Sequence, residues 1–200
     1  MSHHEINIEK RHLSRLPWSP FIAGAIAGVS DYANLSLVLE LMPGGDFRQL
    51  IDRFGPFNQL DACFYYCNIV CAIGFIHGQG LVSRDIKPAN FLVGPDGYIM
   101  MTDLGVATEQ VGGGGSWLDL GTAHYNAPEM IQQGYELGRA VDWWASGVVL
   151  YEMLTQSVVC FSTESQCTRW LLSRLKGLSN TLSVSSRSRD PPISRCPTTS

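Results

Sequence analysis

Asp85, Lys87, Asn90 and Asp103 stand in order in the middle of a 200-residue chain, within Ser83-Arg84-Asp85-Ile86-Lys87-Pro88-Ala89-Asn90 and Thr102-Asp103-Leu104-Gly105. Carboxylates accept protons and, with amide oxygens, ligate hard cations, while an ammonium steadies an anionic group. Farther on, Gly121-Thr122 precedes Ala127-Pro128-Glu129, and Asp142-Trp143-Trp144 opens an apolar segment. A lone D-x-K-x-x-N match arises by accident, but five such segments in order do not. Cys63, Cys67 and Cys71 recur every fourth residue, whereas Cys160, Cys167 and Cys196 are scattered. A structural zinc site uses paired ligands on turns, so the helical stripe is expected to be core thiols in a reducing compartment. His77 and His124 are expected to be structural, and Trp143 and Trp144 to be core or cleft-floor aromatics.

The elements that must position these residues follow from periodicity and breakers. Residues 4–16 read as a short helix ended by Pro17, and 21–29 and 35–41 as two strands. Pro43-Gly44-Gly45 breaks the chain before a helix over 47–53. Asn58 can cap a long helix over 59–77, with Asp61 in its first turn. That helix is apolar on nearly all sides, which predicts deep burial. Short strands at 81–82, 91–93 and 98–101 surround the turn Pro95-Asp96-Gly97, Gly112 to Gly115 is a flexible stretch, and a second buried helix runs over 141–154. A weak helix is expected near 169–175, with disorder over about 177–200.

Composition sets bounds. Apolar residues make up 45% and charged residues 16% of the chain, so a core can form, and a formal charge of −4 excludes a broadly basic nucleic-acid binder. Residues 1–160 carry a net −8 and residues 161–200 a net +4. The polar start is no signal peptide, and the apolar run over 140–154 is too short to span a bilayer. These features point to an intracellular protein, cytoplasmic or nuclear, with no membrane and no nucleic-acid partner.

The ordered segments resemble the protein kinase signature, and within it the AGC group typified by cAMP-dependent protein kinase, over residues 8–155. The resemblance implies an α+β, two-lobed kinase-like fold over 4–159, with a small-lobe remnant over 4–42 (one helix and two strands) and a mainly helical large lobe over 43–159. A Ser/Thr/Arg-rich tail over 160–200 follows. It further implies a serine/threonine kinase using ATP and Mg²⁺ on protein substrates. By that likeness Asp85 takes the hydroxyl proton, Lys87 reaches the transferring phosphate, Asn90 and Asp103 hold Mg²⁺, and Thr122 touches Asp85. Glu9 would pair with an ATP-binding lysine. Leu39 would be the gatekeeper, Glu40 to Met42 would meet adenine, Leu92 would pack beneath it, and Asp46 would lie near the ribose. Asp46 and Glu152 would attract a basic residue of the substrate. Alternatively, Asp46 simply caps the helix after it. Glu129 would fix the peptide-binding loop, Asp142 would brace the catalytic loop, and Asp119 could pair with Arg84 in place of a phosphate.

The likeness also has gaps. The lysines are Lys10, Lys87 and Lys176, and none sits on a strand ahead of Glu9. Ser83 replaces the usual His or Tyr, Leu104 replaces the aromatic of Asp-Phe-Gly, and Ala89 stands where relatives preferring basic substrates carry glutamate. The expectation is therefore a copy truncated at both ends. Its alternatives are a catalytically silent pseudokinase or interaction module, or a truncated gene-model fragment.

Overall fold

Two long apolar helices organise the structure, a computed structural model that describes residues 3–30, 35–109, 122–131 and 138–157. Helix α1 (His3–Leu13) leads to strands β1 (Ala25–Ser30) and β2 (Leu35–Leu39), then α2 (Phe47–Phe54) and α3 (Gln59–Gly78). Strands β3 (Leu81–Val82), β4 (Phe91–Val93), β5 (Ile99–Met101) and β6 (Thr108–Glu109) follow, then α4 (Pro128–Ile131) and α5 (Ala140–Thr155). Among the described residues the strands pair antiparallel as β1 with β2, β3 with β6, and β4 with β5. The expected Gly112–Gly115 stretch and everything beyond 157, including the helix near 169–175, lie outside the described residues.

Asn58 starts α3 by accepting from the backbone N–H groups of Leu60 and Asp61, both at 3.0 Å, and its amide donates to the Asp61 carboxylate at 2.7 Å. From there Ala62, Tyr65, Ile69, Ala72, Ile73 and Ile76 recur at three- and four-residue intervals and are buried against α5 and β5. Phe47 and Ile51 of α2 and Val149 and Met153 of α5 complete this core, with the Phe47 and Tyr65 rings 4.9 Å apart. Two bonds of a parallel bridge join the stretch before β1 to β5, Ala23 N–H to Met101 C=O and Met101 N–H to Phe21 C=O, each 2.8 Å. They tie the α1–β1–β2 unit to the helical part.

The expected core thiols are corrected here: Cys63, Cys67 and Cys71 are exposed. An almost uniformly apolar helix gives no stripe to choose its buried face, and only the Tyr65–Ile69–Ile76 side meets neighbouring elements. By length and composition α3 is apolar enough to cross a membrane, a stronger candidate than the 140–154 run, yet its buried face is packed on α5.

Truncating Ile69 to Ala should therefore cost roughly 2–5 kcal/mol of stability. Asn58→Ala should cost about 1 kcal/mol by removing the cap. Both are read from urea midpoints at constant m-value.

Candidate active site

The loop between β3 and β4 is held from beneath by one carboxylate. Asp142, in the first turn of α5, has no exposed surface. Its Oδ2 accepts from Ser83 N–H at 2.9 Å and from His77 Nε2 at 2.7 Å, while Oδ1 accepts from Arg84 N–H at 2.8 Å. Burial of a carboxylate is tolerable only with such donors. The His77 ring is itself covered edge-on by Trp143 at 5.5 Å, although Trp143 remains partly exposed instead of lining the core. Arg84 adopts φ 66°, a left-handed conformation that non-glycine residues rarely take. Its guanidinium Nε donates to Val106 C=O at 2.9 Å, with Nη2 on the same oxygen, and burial pulls its pKa down from the usual arginine range.

On this support four side chains converge. Asp85 Oδ2 accepts from Lys87 Nζ at 2.6 Å and from Asn90 Nδ2 at 2.9 Å. Its Oδ1 faces Thr122, whose backbone N–H lies at 3.3 Å and whose Oγ1 lies at 3.5 Å. Lys87 Nζ also donates to Thr122 Oγ1 at 3.0 Å, so Thr122 is pinned to both charged groups. Asn90 Nδ2 further donates to the Asp85 C=O at 2.9 Å, which leaves its Oδ1 without a protein partner among the described residues. Thr102 N–H bonds Asn90 C=O at 2.9 Å, so the next residue, Asp103, begins beside the loop. Asp103 has φ 61°, and its Oδ1 accepts from Gly105 N–H at 3.1 Å. An amide oxygen and a carboxylate are the donors that a hard divalent cation takes, and the set fits Mg²⁺.

Glu9 comes to this region from α1. It is 4% exposed and lies against the backbone amides of Leu104 and Asp103, which partly offset the cost of its burial. Burial first, then the neighbouring Asp103 charge, pushes its carboxyl pKa up. Lys10 does not meet it: that side chain lies across β1, its Cε 3.0 Å from where a Gly28 Cβ would stand. The segment after β2 docks closely on β4, because Gly44 N–H bonds Val93 C=O at 3.0 Å and a Cβ on Gly44 would fall 2.6 Å from Val93 Cβ. Only glycine fits there. Leu39 ends β2, half-buried, and Glu40 N–H bonds Gly24 C=O at 3.0 Å. Met42 Sδ lies 4.0 Å from where a Gly94 Cβ would stand, and Leu92 forms an antiparallel bridge with Asp46.

One expectation about a basic substrate residue needs correction. Glu152 is 1% exposed and already paired with Arg48, and it accepts from Tyr125 Oη at 2.7 Å. Arg48 also makes a fork to Asp52, with Nη2 to Oδ1 at 2.7 Å and Nε to Oδ2 at 3.0 Å. These carboxylates hold Arg48 in its charged form, and burial beside Glu152 pushes the Tyr125 phenol pKa up. A chain arginine thus fills the place assigned to a substrate, and in the sequence Arg48 is only a helix residue 104 positions away. Asp46 caps α2 by accepting from Gln49 N–H at 2.8 Å, and its other oxygen accepts from Gln49 Nε2 at 2.7 Å. Glu129 sits half-buried on α4, and Asp119 lies outside the described residues.

A family model described as the protein kinase domain matches residues 1–195. The chain belongs to this family. Its kinase domain is 39% identical over 137 residues to the human "cAMP-dependent protein kinase catalytic subunit PRKX", covering 68% of this chain and 37% of that protein. It is 42% identical over 122 residues to the human "Putative serine/threonine-protein kinase PRKY", covering 60% and 43%. It is 39% identical over 149 residues to mouse "Protein kinase C delta type", covering 74% and 22%. The chain spans less than half the length of these curated relatives. The fold is the α+β arrangement of a kinase domain, in part.

Replacing Asp142 with Ala should unseat the loop, at roughly 1–3 kcal/mol for each buried donor left unsatisfied, read as a fall in thermal midpoint. The pH dependence should carry a His12 signature. His12 is buried with Nε2 3.1 Å from Ala107 C=O, and burial lowers its pKa below the usual 6.5. A depressed folded pKa contributes stability above about 6.5 that is lost as pH falls below it. Between pH 7.5 and 5 the wild type should lose more of its thermal midpoint than His12→Gln does.

Proposed function

We propose that this kinase domain transfers the γ-phosphate of Mg-ATP to serine or threonine hydroxyls of protein substrates. The observation that carries the reading is the Asp85–Lys87–Asn90–Thr122 cluster, four polar groups mutually bonded on a rigid buried support. Asp85 would accept the proton of the attacking hydroxyl, and Lys87, already between Asp85 and Thr122, would shield the charge on the transferring group. Thr122 holds both in register. Asn90 Oδ1 and the Asp103 carboxylate would hold Mg²⁺, which when bound neutralises phosphate oxygens. The Glu40–Met42 backbone and Leu92 would border adenine. With Glu152 buried against Arg48, the proposed substrate class is a hydroxyl-bearing protein with no requirement for a basic neighbour from that residue.

A second reading has an observation of its own. Glu9 lies buried against the Asp103–Leu104 backbone, and Lys10 lies over β1 instead of beside it. A domain in that state would be a silent partner-binding module.

Phosphate transfer from Mg-ATP to a mixed serine and threonine peptide pool distinguishes the two. In the active case Asp85→Asn should lower the rate by about 10²–10⁴, the usual contribution of a positioned base. A folded protein that neither transfers phosphate nor shifts its melting point with Mg-ATP would leave the silent module. Transfer undiminished in Asp85→Asn would remove Asp85 from the mechanism.

A further inference from the structure

Residues 10–15, Lys-Arg-His-Leu-Ser-Arg, carry three cations and no acid in a chain whose net charge is −4. Within them Ser14 is exposed, one residue past the end of α1. Its N–H bonds Lys10 C=O and its Oγ donates to Arg11 C=O, both at 3.0 Å. The hydroxyl therefore sits at the surface in a terminal turn, the part of a helix that opens most readily.

The same turn fastens α1 to the stretch ending in β6. Arg11 Nη2 and Arg15 Nη1 both lie 3.4 Å from Glu109 Oε1, and His12 Nε2 lies 3.1 Å from Ala107 C=O. Both arginines and Glu109 are more than half exposed, so water screens these ion pairs and each is weak. A phosphate on Ser14 would bring about −1.5 to −2 charge and three strong acceptor oxygens. Arg11 at i−3 and Lys10 at i−4 are its neighbours on the helix surface. A phosphate there competes with the single Glu109 carboxylate for Arg11. It also meets the unpaired carbonyls at the negative end of α1, which favours opening of that turn.

We propose that Ser14 is a phosphorylation site for a serine kinase that selects cations on the amino-terminal side of its target, and that its phosphate loosens α1 from β6. Charge pattern is one means by which kinases choose among exposed hydroxyls. The transfer breaks the bond between the β,γ-bridging oxygen and the γ-phosphorus of ATP and forms the bond from Ser14 Oγ to that phosphorus. ADP and the hydroxyl proton leave.

The test uses the full chain carrying Asp85→Asn, so that any phosphate comes from an added enzyme and the chain's own activity plays no part. The probe is purified cAMP-dependent protein kinase catalytic subunit with Mg-ATP. Mass spectrometry maps the product, and circular dichroism shows that each variant is folded. Phosphate is expected on Ser14, and Arg11→Ala should slow its entry at least about 10-fold, the worth of a hydrogen bond to a charged group. Hydrogen exchange over residues 107–109 should then quicken about 2–5-fold, the worth of an exposed ion pair, and stay unchanged in kinase-treated Ser14→Ala. Phosphate absent, confined to other residues, or entering Ser14 only after unfolding in urea overturns the site. An undiminished rate in folded Arg11→Ala overturns the charge selection, and unchanged exchange after phosphorylation of Ser14 overturns the loosening.

Discussion

The buried carboxylate of Asp142 ties the molecule's three working parts together. It stands at the start of α5, binds His77 at the end of α3, and receives the N–H groups of Ser83 and Arg84 at the entry to the loop. A carboxyl group without exposed surface is costly unless it is hydrogen-bonded, so each of its three partners is constrained to one position. The loop cannot drift without leaving a charge unsatisfied, and α3 and α5 cannot slide without breaking the same bonds. Hydrophobic contacts between the two helices set their distance, and Asp142 sets their register.

That register makes strain at the site tolerable. Arg84 and Asp103 both take positive φ, conformations costing on the order of 1–3 kcal/mol in non-glycine residues. Arg84 is held there by Asp142 on its amide and by Val106 on its guanidinium. Asp103 follows the Thr102 amide bonded to Asn90, and its own carboxylate accepts from Gly105 N–H. The residues that border the reaction therefore sit on backbone that is over-determined by its surroundings. Preorganisation of this kind lets side chains meet charge without rearranging.

Much of the architecture was legible locally. The Asn58 cap, the Asp96 turn and the breaks at Pro43-Gly44-Gly45 are encoded by neighbouring residues, and the helices and hairpins start and stop close to where those signals lie. The grouping of Asp85, Lys87 and Asn90 was legible for the same reason, since a short loop keeps such residues within reach of one another. Their partner Thr122 was implied by the resemblance to the kinase family, not by the local sequence. What spacing could not reveal was occupancy. Asp46 has two possible partners, a helix N-terminus or a ligand, and composition is the same for both. Glu152 reads as an acid near a substrate until Arg48, 104 residues earlier, is found against it.

The sequence by itself determined the family, the order of the elements and the identity of the reactive groups, because these depend on residue types and on short-range spacing. Tertiary structure alone decided which carboxylates remain available, which way the α3 cysteines face, and where Glu9 and Lys10 point. Each of those outcomes depends on contacts between residues far apart in the chain, and their energies arise from burial and desolvation that no local pattern contains. Cys67 is the clearest case: its helix was predictable from composition, and its exposure follows only from where α5 and β5 happen to pack.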